Sequence, residues 1–207
     1  MFIFISGIRN YTILINDLFM ASSKSIFRCP WCLSSELMIK YHDEEWGIPV
    51  HDDRKLFEFM VLDSFQAGLS WNTILNKREN FRKAFDNFHP EKVARYSEKK
   101  IQSLLGNEGI IRNKLKVNGT VTNAKKFIEI QKLHGSFNKF IWQFTNHKTI
   151  KNSWNDVKQV PPRTDHSDAM SKALYEEGFK FVGSTICYAF MQATGMVNDH
   201  LVKCHRY

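Results

Sequence analysis

Proline and glycine are sparse in this chain, five and ten among 207 residues, so few positions forbid a helix interior or demand a turn. Cysteine is sparse too. Four cysteines without a convincing secretory leader exclude a dense disulfide framework and leave metal ligation or isolated thiols. No unbroken apolar run approaches the roughly 20 residues that a spanning helix requires. The nearest candidate, Met1 to Met20, is interrupted by Arg9, Asn10, Asn16 and Asp17, and no small-residue cleavage site follows it. Residues 1–24 are therefore expected to be a leader or flexible extension with no assigned function, Met20 being a natural alternative start. The protein is expected to be cytoplasmic. Internal repeats and low-complexity segments are absent, which excludes a solenoid.

Negative charge is also in deficit. Lys and Arg number 29 against 21 Asp and Glu, a formal charge of +8, so an anionic polymer would be attracted and its counterions released. Hydrophobic residues at 43% and charged residues at 24% are ordinary for a globular protein, and residues 25–207 suit one domain with one core. The pattern is all-α, punctuated by caps and stops rather than by strand-like alternation.

Asp52 and Asp53 are expected to cap a helix from Arg54 to Ala67, apolar on almost every side and therefore central and buried. Further helices are expected over residues 72–88, from Pro90, over 98–105 behind Ser97, over 113–133, 136–144, 167–177 and 184–194. The helices over 98–105 and 113–133 flank a tight turn that contains Gly109. Residues 145–165, with Pro161 and Pro162, are expected to be a polar loop.

Metal ligands stand at both ends of this domain. His200-x-x-x-Cys204 spaces two donors about one helical turn apart, and Cys29 with His42 would complete a closed Cys2His2 set joining the termini. Cys32 in place of His42 is an equally good set by spacing, since Cys29-Pro-Trp-Cys32 is a C-x-x-C pair, and His205 is a spare donor. Cys187 lies in an apolar helix and reads as a buried thiol.

Asp63 is out of place on its helix. Leu56, Met60 and Ala67 share its face, and a carboxylate there is costly unless it is used. Trp31, Tyr41, Trp46 and Trp71 are close to it or to the metal segment in sequence, and their faces attract cations and stack on flat rings. Such a pocket would suit an electron-deficient methylated base.

Six motifs run collinearly between Cys29 and Cys204: Tyr41-His42-Asp43-Glu44-Glu45-Trp46-Gly47-Ile48-Pro49, Gln66-Ala67-Gly68-Leu69-Ser70-Trp71, Lys77-Arg78-Glu79-Asn80, Gly109-Ile110-Ile111-Arg112, Gly178-Phe179-Lys180-Phe181-Val182-Gly183 and Gly195-Met196-Val197-Asn198-Asp199-His200. On these the chain resembles the DNA-3-methyladenine glycosylase I family, the zinc-binding branch of the helix-hairpin-helix glycosylases. The resemblance implies a helix-hairpin-helix glycosylase-like fold with structural zinc at Cys29, His42, His200 and Cys204 joining the N- and C-terminal segments. It implies a base pocket of Trp31, Tyr41, Trp46 and Trp71, with Asp63 as the catalytic carboxylate. Gln66, Gly68 and Leu69 would fill the gap left in the duplex, and Gly109 and Arg112 would hold phosphate at the hairpin.

The implied activity is excision of 3-methyladenine from double-stranded alkylated DNA in base excision repair, by a monomer without strand-cleaving lyase activity. One residue departs from the family pattern. Asp63 stands where Glu is usual, one methylene shorter, so a lesion-binding protein with weak catalysis is the competing expectation.

Overall fold

The computed structural model describes residues 26–207; the 1–24 leader lies outside the described residues. The long central helix, α2 (Asp53–Gln66), follows α1 (Glu36–Glu44), and every residue of α2 from Leu56 to Phe65 is buried, as its all-round apolar pattern requires. Asp52 caps α2 by accepting from the Lys55 amide. Asp53 has a different task from the one expected: its carboxylate accepts from the Phe137 and Asn138 amides and so caps another helix.

Around α2 pack α3 (Trp71–Ala84), α6 (Lys114–His134), α7 (Phe137–Trp142) and α9 (Ser184–Ala193). The short α4 (Pro90–Val93), α5 (Glu98–Gly106) and α8 (Asp165–Glu176) complete the α-helices among the described residues, beside four short 3-10 turns. No helix among them is long and apolar enough to cross a membrane. Ser97 caps its helix as expected; Ser70, Asn113 and Ser136, not named as caps from sequence, likewise each accept an amide of the first turn, and Gly135 ends α6 in the left-handed region at φ 82°. The helix expected over 72–88 stops at Ala84, where a short 3-10 turn, Asp86–Phe88, takes over. Gly119 lies inside α6, where an added Cβ would be 2.8 Å from the Phe181 ring; the glycine serves close packing.

Two local expectations fail. Residues 145–165 are not all loop: Ile150–Lys151 (β1) pairs in parallel with Val197–Asn198 (β2), a contact between segments too distant and too short to leave a sequence pattern. The segment from His200 to Cys204 is turns rather than helix, with the Cys204 amide donating to the Leu201 carbonyl at 2.7 Å.

The expected hairpin is present. α5 packs on α6, and between them Asn107 Oδ1 accepts from the Gly109 amide at 2.9 Å to close the turn. Gly109 sits against α3: an added Cβ would lie 3.2 Å from Asn80 Cβ, and Lys77 Nζ donates to the Glu108 carbonyl at 3.0 Å. The Lys77–Asn80 motif is thus the seat of the hairpin.

Candidate active site and metal cluster

Cys29, His42, His200 and Cys204 are all buried and their donor atoms lie within 4.8 Å of one another. Cys32 is not among them; its thiol donates to the Cys29 carbonyl at 3.1 Å. His205 also stays outside, against Asp43 at 3.5 Å. The surroundings decide which imidazole nitrogen faces the cluster. His200 Nε2 meets the Trp46 carbonyl at 3.0 Å and must donate to it, which leaves Nδ1 bare and 3.5 Å from Cys204 Sγ. His42 Nδ1 is held by Asp43 at 2.7 Å, and Asp43 in turn by Arg28, leaving Nε2 3.4 Å from Cys204 Sγ. These are the outer partners that orient metal-binding histidines.

Burial pushes the Cys29 thiol up to about 12 and His200 down to about 4. Neutral imidazoles beside desolvated sulfurs form a set that a soft divalent cation would complete. Backbone amides of Leu201 and Arg206 approach the Cys29 and Cys204 sulfurs at 3.4 and 3.5 Å, which also suits thiolates.

Beside this cluster opens a cavity of about 270 Å³ lined by Trp31, Tyr41, Trp46, Asp63, Gln66 and Trp71, together with Gln192 and Asp199. Trp31 meets the Trp46 ring edge-on at 4.9 Å, and Tyr41 tilts against Trp71 at 5.2 Å. Four aromatic walls from the N-terminal segment, α1, the turn that follows it and α3 therefore converge on one space. Asp63 reaches it from α2 at 2% exposure, and its Oδ2 is buried without a hydrogen-bond partner among the described residues. Trp71 Nε1 is a second such atom. A buried, unpaired carboxylate costs several kcal/mol, on the order of 1–3 for one lost partner alone, unless a ligand meets it. Burial pushes the Asp63 carboxyl well above the usual carboxylate range, while the Arg78 charge pulls it back.

Arg78 is the hub of an ion network beneath this wall, bonded to Glu58 at 2.6 Å and to both Glu45 oxygens at 2.8 Å.

Gly68 and Leu69 follow Gln66 in the chain but do not themselves line the cavity. Gly68 takes φ 81°, which a side chain would resist, and Leu69 is 40% exposed despite its apolar chain. Gly109 and Arg112 do not line the cavity; they lie in the hairpin turn, where Arg112 pairs loosely with Glu108 at 3.4 Å. Lys116 connects the two regions. Buried to 7% exposure near the start of α6, it donates from Nζ to the Phe65 carbonyl at 2.8 Å and the Ala67 carbonyl at 2.6 Å, closing the end of α2. Burial lowers its pKa.

Lys116 and Asp199 were not singled out from sequence. Lys116 is one of many lysines, and its role arises from a helix crossing. Asp199 lay inside a quoted motif, but nothing in the motif's spacing shows that four donors converge on it.

A family model described as methyladenine glycosylase matches residues 31–207. The DNA-3-methyladenine glycosylase of Haemophilus influenzae is 48% identical over 177 residues, covering 86% of this chain and 96% of the relative. A crystal structure of 3-methyladenine DNA glycosylase I superposes with a TM-score of 0.85 at 45% identity, covering 86% of this chain and 98% of that one. A variant of 3-methyladenine DNA glycosylase I in complex with 3-methyladenine superposes at 0.84 with 33% identity, covering 86% and 96%.

Proposed function

The chain belongs to the methyladenine glycosylase family, and on that premise we propose that it excises 3-methyladenine from alkylated double-stranded DNA by flipping the base and hydrolysing its N-glycosidic bond. The observation that carries the reading is Asp63 Oδ2, a buried acceptor without a partner in the wall of an aromatic cavity.

Methylation at N3 makes adenine cationic and weakens its bond to the sugar, so the protein has chiefly to extract and hold a good leaving group. Trp46 or Trp71 stacks on the flipped ring, with Trp31 and Tyr41 closing the space. Asp63 accepts hydrogen bonds from the base and favours positive charge there. As the bond breaks, its electron pair passes to the base and cancels the ring charge; water adds to the sugar cation and releases a proton. Gln66, Gly68 and Leu69 occupy the vacated stack, Leu69 supplying the apolar wedge. Gly109 and Arg112 meet phosphate at the hairpin.

Zinc suits the Cys29, His42, His200 and Cys204 donors, and its role here is to fasten the segments behind the cavity. Among the described residues no lysine lines the cavity, and Lys116 is committed to two carbonyls. We propose further that the enzyme is monofunctional, monomeric and cytoplasmic. The ligand-bound relative supports excision over a binding-only role for the Asp63 variant of the pocket.

The deciding experiment is chromatographic identification of bases released from methylated DNA, with Asp63→Asn beside it. Release of 3-methyladenine that falls at least tenfold in the variant supports the assignment, and no release by folded, metal-loaded protein removes it. A lysine-dependent nick at abasic sites in the same reactions would remove the monofunctional assignment.

A further inference from the structure

Asp199 is 2% exposed and accepts four hydrogen bonds: from Asn152 Nδ2 and Trp154 Nε1 on Oδ1, each at 2.7 Å, and from Tyr188 Oη at 2.6 Å and Gln192 Nε2 at 2.7 Å on Oδ2. A carboxylate has about four acceptor positions. Asp199 therefore has nothing left for a ligand, although it lines the cavity. Its effect is on Gln192. Only the NH2 side of that amide can face a carboxylate oxygen, so the amide cannot be reversed, and Oε1 is left as an acceptor that no described residue meets. Gln192 lines the same cavity as Asp63.

Building on the reading that a purine occupies this cavity, we propose that Gln192, locked by Asp199, is a specificity-determining residue that admits a purine with an exocyclic amine and rejects one with a carbonyl at that position. An amine offers two hydrogens, enough for Asp63 and Gln192 together. A carbonyl offers none and sets lone pairs against the amide oxygen. Trp71 Nε1, an unpartnered donor of a residue that lines the cavity, suits a ring nitrogen of either purine, so it does not discriminate. Asp63 is the weaker discriminator of the two acceptors: a buried carboxyl that holds a proton can donate to a carbonyl, whereas the Gln192 oxygen accepts in every state.

The test is the ratio of 3-methyladenine to 3-methylguanine released from one sample of dimethyl-sulfate-treated DNA. The full-length protein is compared with Gln192→Met, which keeps chain length and removes the amide. A ratio that falls about tenfold or more in a variant with an unchanged melting curve supports the inference, the size expected for one lost hydrogen bond with its partner left buried. A ratio within twofold of the parent overturns it. If Gln192→Met does not fold, Gln192→Asn, which withdraws the same amide by one methylene, is read in the same way. Asp199→Asn, which allows the Gln192 amide to turn over, lowers the ratio with Gln192 intact. A parent protein that releases neither base overturns the proposed function and this inference with it, whereas release of 3-methyladenine with an unresponsive ratio overturns the inference alone.

Discussion

Trp46 and His200 are joined twice: the Trp46 carbonyl receives the His200 Nε2 proton at 3.0 Å, and the two rings meet edge to face at 4.6 Å. A metal-cluster residue thus supports a wall of the base cavity directly, and the first prediction follows from that contact. Purified protein should contain about one zinc per chain by atomic spectroscopy. Cys204→Ser should lose the metal, lower the melting temperature by about 10 °C, roughly 3 kcal/mol at this chain length, and weaken binding of free 3-methyladenine. Full base binding by metal-free, folded protein would contradict the coupling.

Asp63 trades stability for recognition. Its carboxyl is raised by burial, so the folded state retains a proton that the unfolded chain has already released, and stability falls as pH climbs through the window between the ordinary and raised values. Asp63→Asn should therefore melt higher than the parent at pH 8, with the difference vanishing near pH 3. Excision should run the other way: kcat/KM of the parent rises with pH through the raised value, and the variant is low and flat.

Lys116 should matter to two sites at once. Replacing it with Met leaves the Phe65 and Ala67 carbonyls without their cation, at a cost of about 2–3 kcal/mol, or roughly 5–10 °C in melting temperature. Because those carbonyls lead into the Leu69 loop, affinity for abasic-site DNA should fall as well, and Lys116→Arg should recover part of both. Melting and fluorescence-anisotropy titrations check this.

At the hairpin, Arg112 is half exposed and only loosely paired. Arg112→Gln should weaken DNA binding without changing which base is released, and should reduce the slope of log K against log salt by about 0.9 if it neutralises one phosphate. An unchanged slope would place Arg112 off the DNA.

Local chemistry explains what sequence disclosed. Asp52 and Ser97 cap helices through side-chain bonds reaching three residues ahead, and such signals survive in a one-dimensional string. The aromatic residues and Asp63 were legible as odd features, and they do converge. Spacing alone left Cys32 and His42 open as the fourth ligand, and the fold chooses His42 because Asp43 turns its ring inward. Helix α1 went unread, although Ser35 caps it, because Lys40, His42, Asp43 and Glu44 dilute its apolar face. The β1–β2 pair and half of the Asp199 hub were invisible for a different reason: Ile150 and Lys151, and the donors Asn152 and Trp154, lie 45 or more residues from their partners.

His42 and Cys204 are 162 residues apart in the chain, and Cys29 and Leu201 are 172 apart, yet they meet behind Trp31 and Trp46. Closing loops of that length is the slow, entropically costly part of folding. During synthesis the helical body can pack while this wall is still open, and the wall closes only when the C-terminal segment leaves the ribosome. The base cavity therefore depends on contact between the two ends of the domain, His200 bracing the Trp46 wall from the far end of the chain.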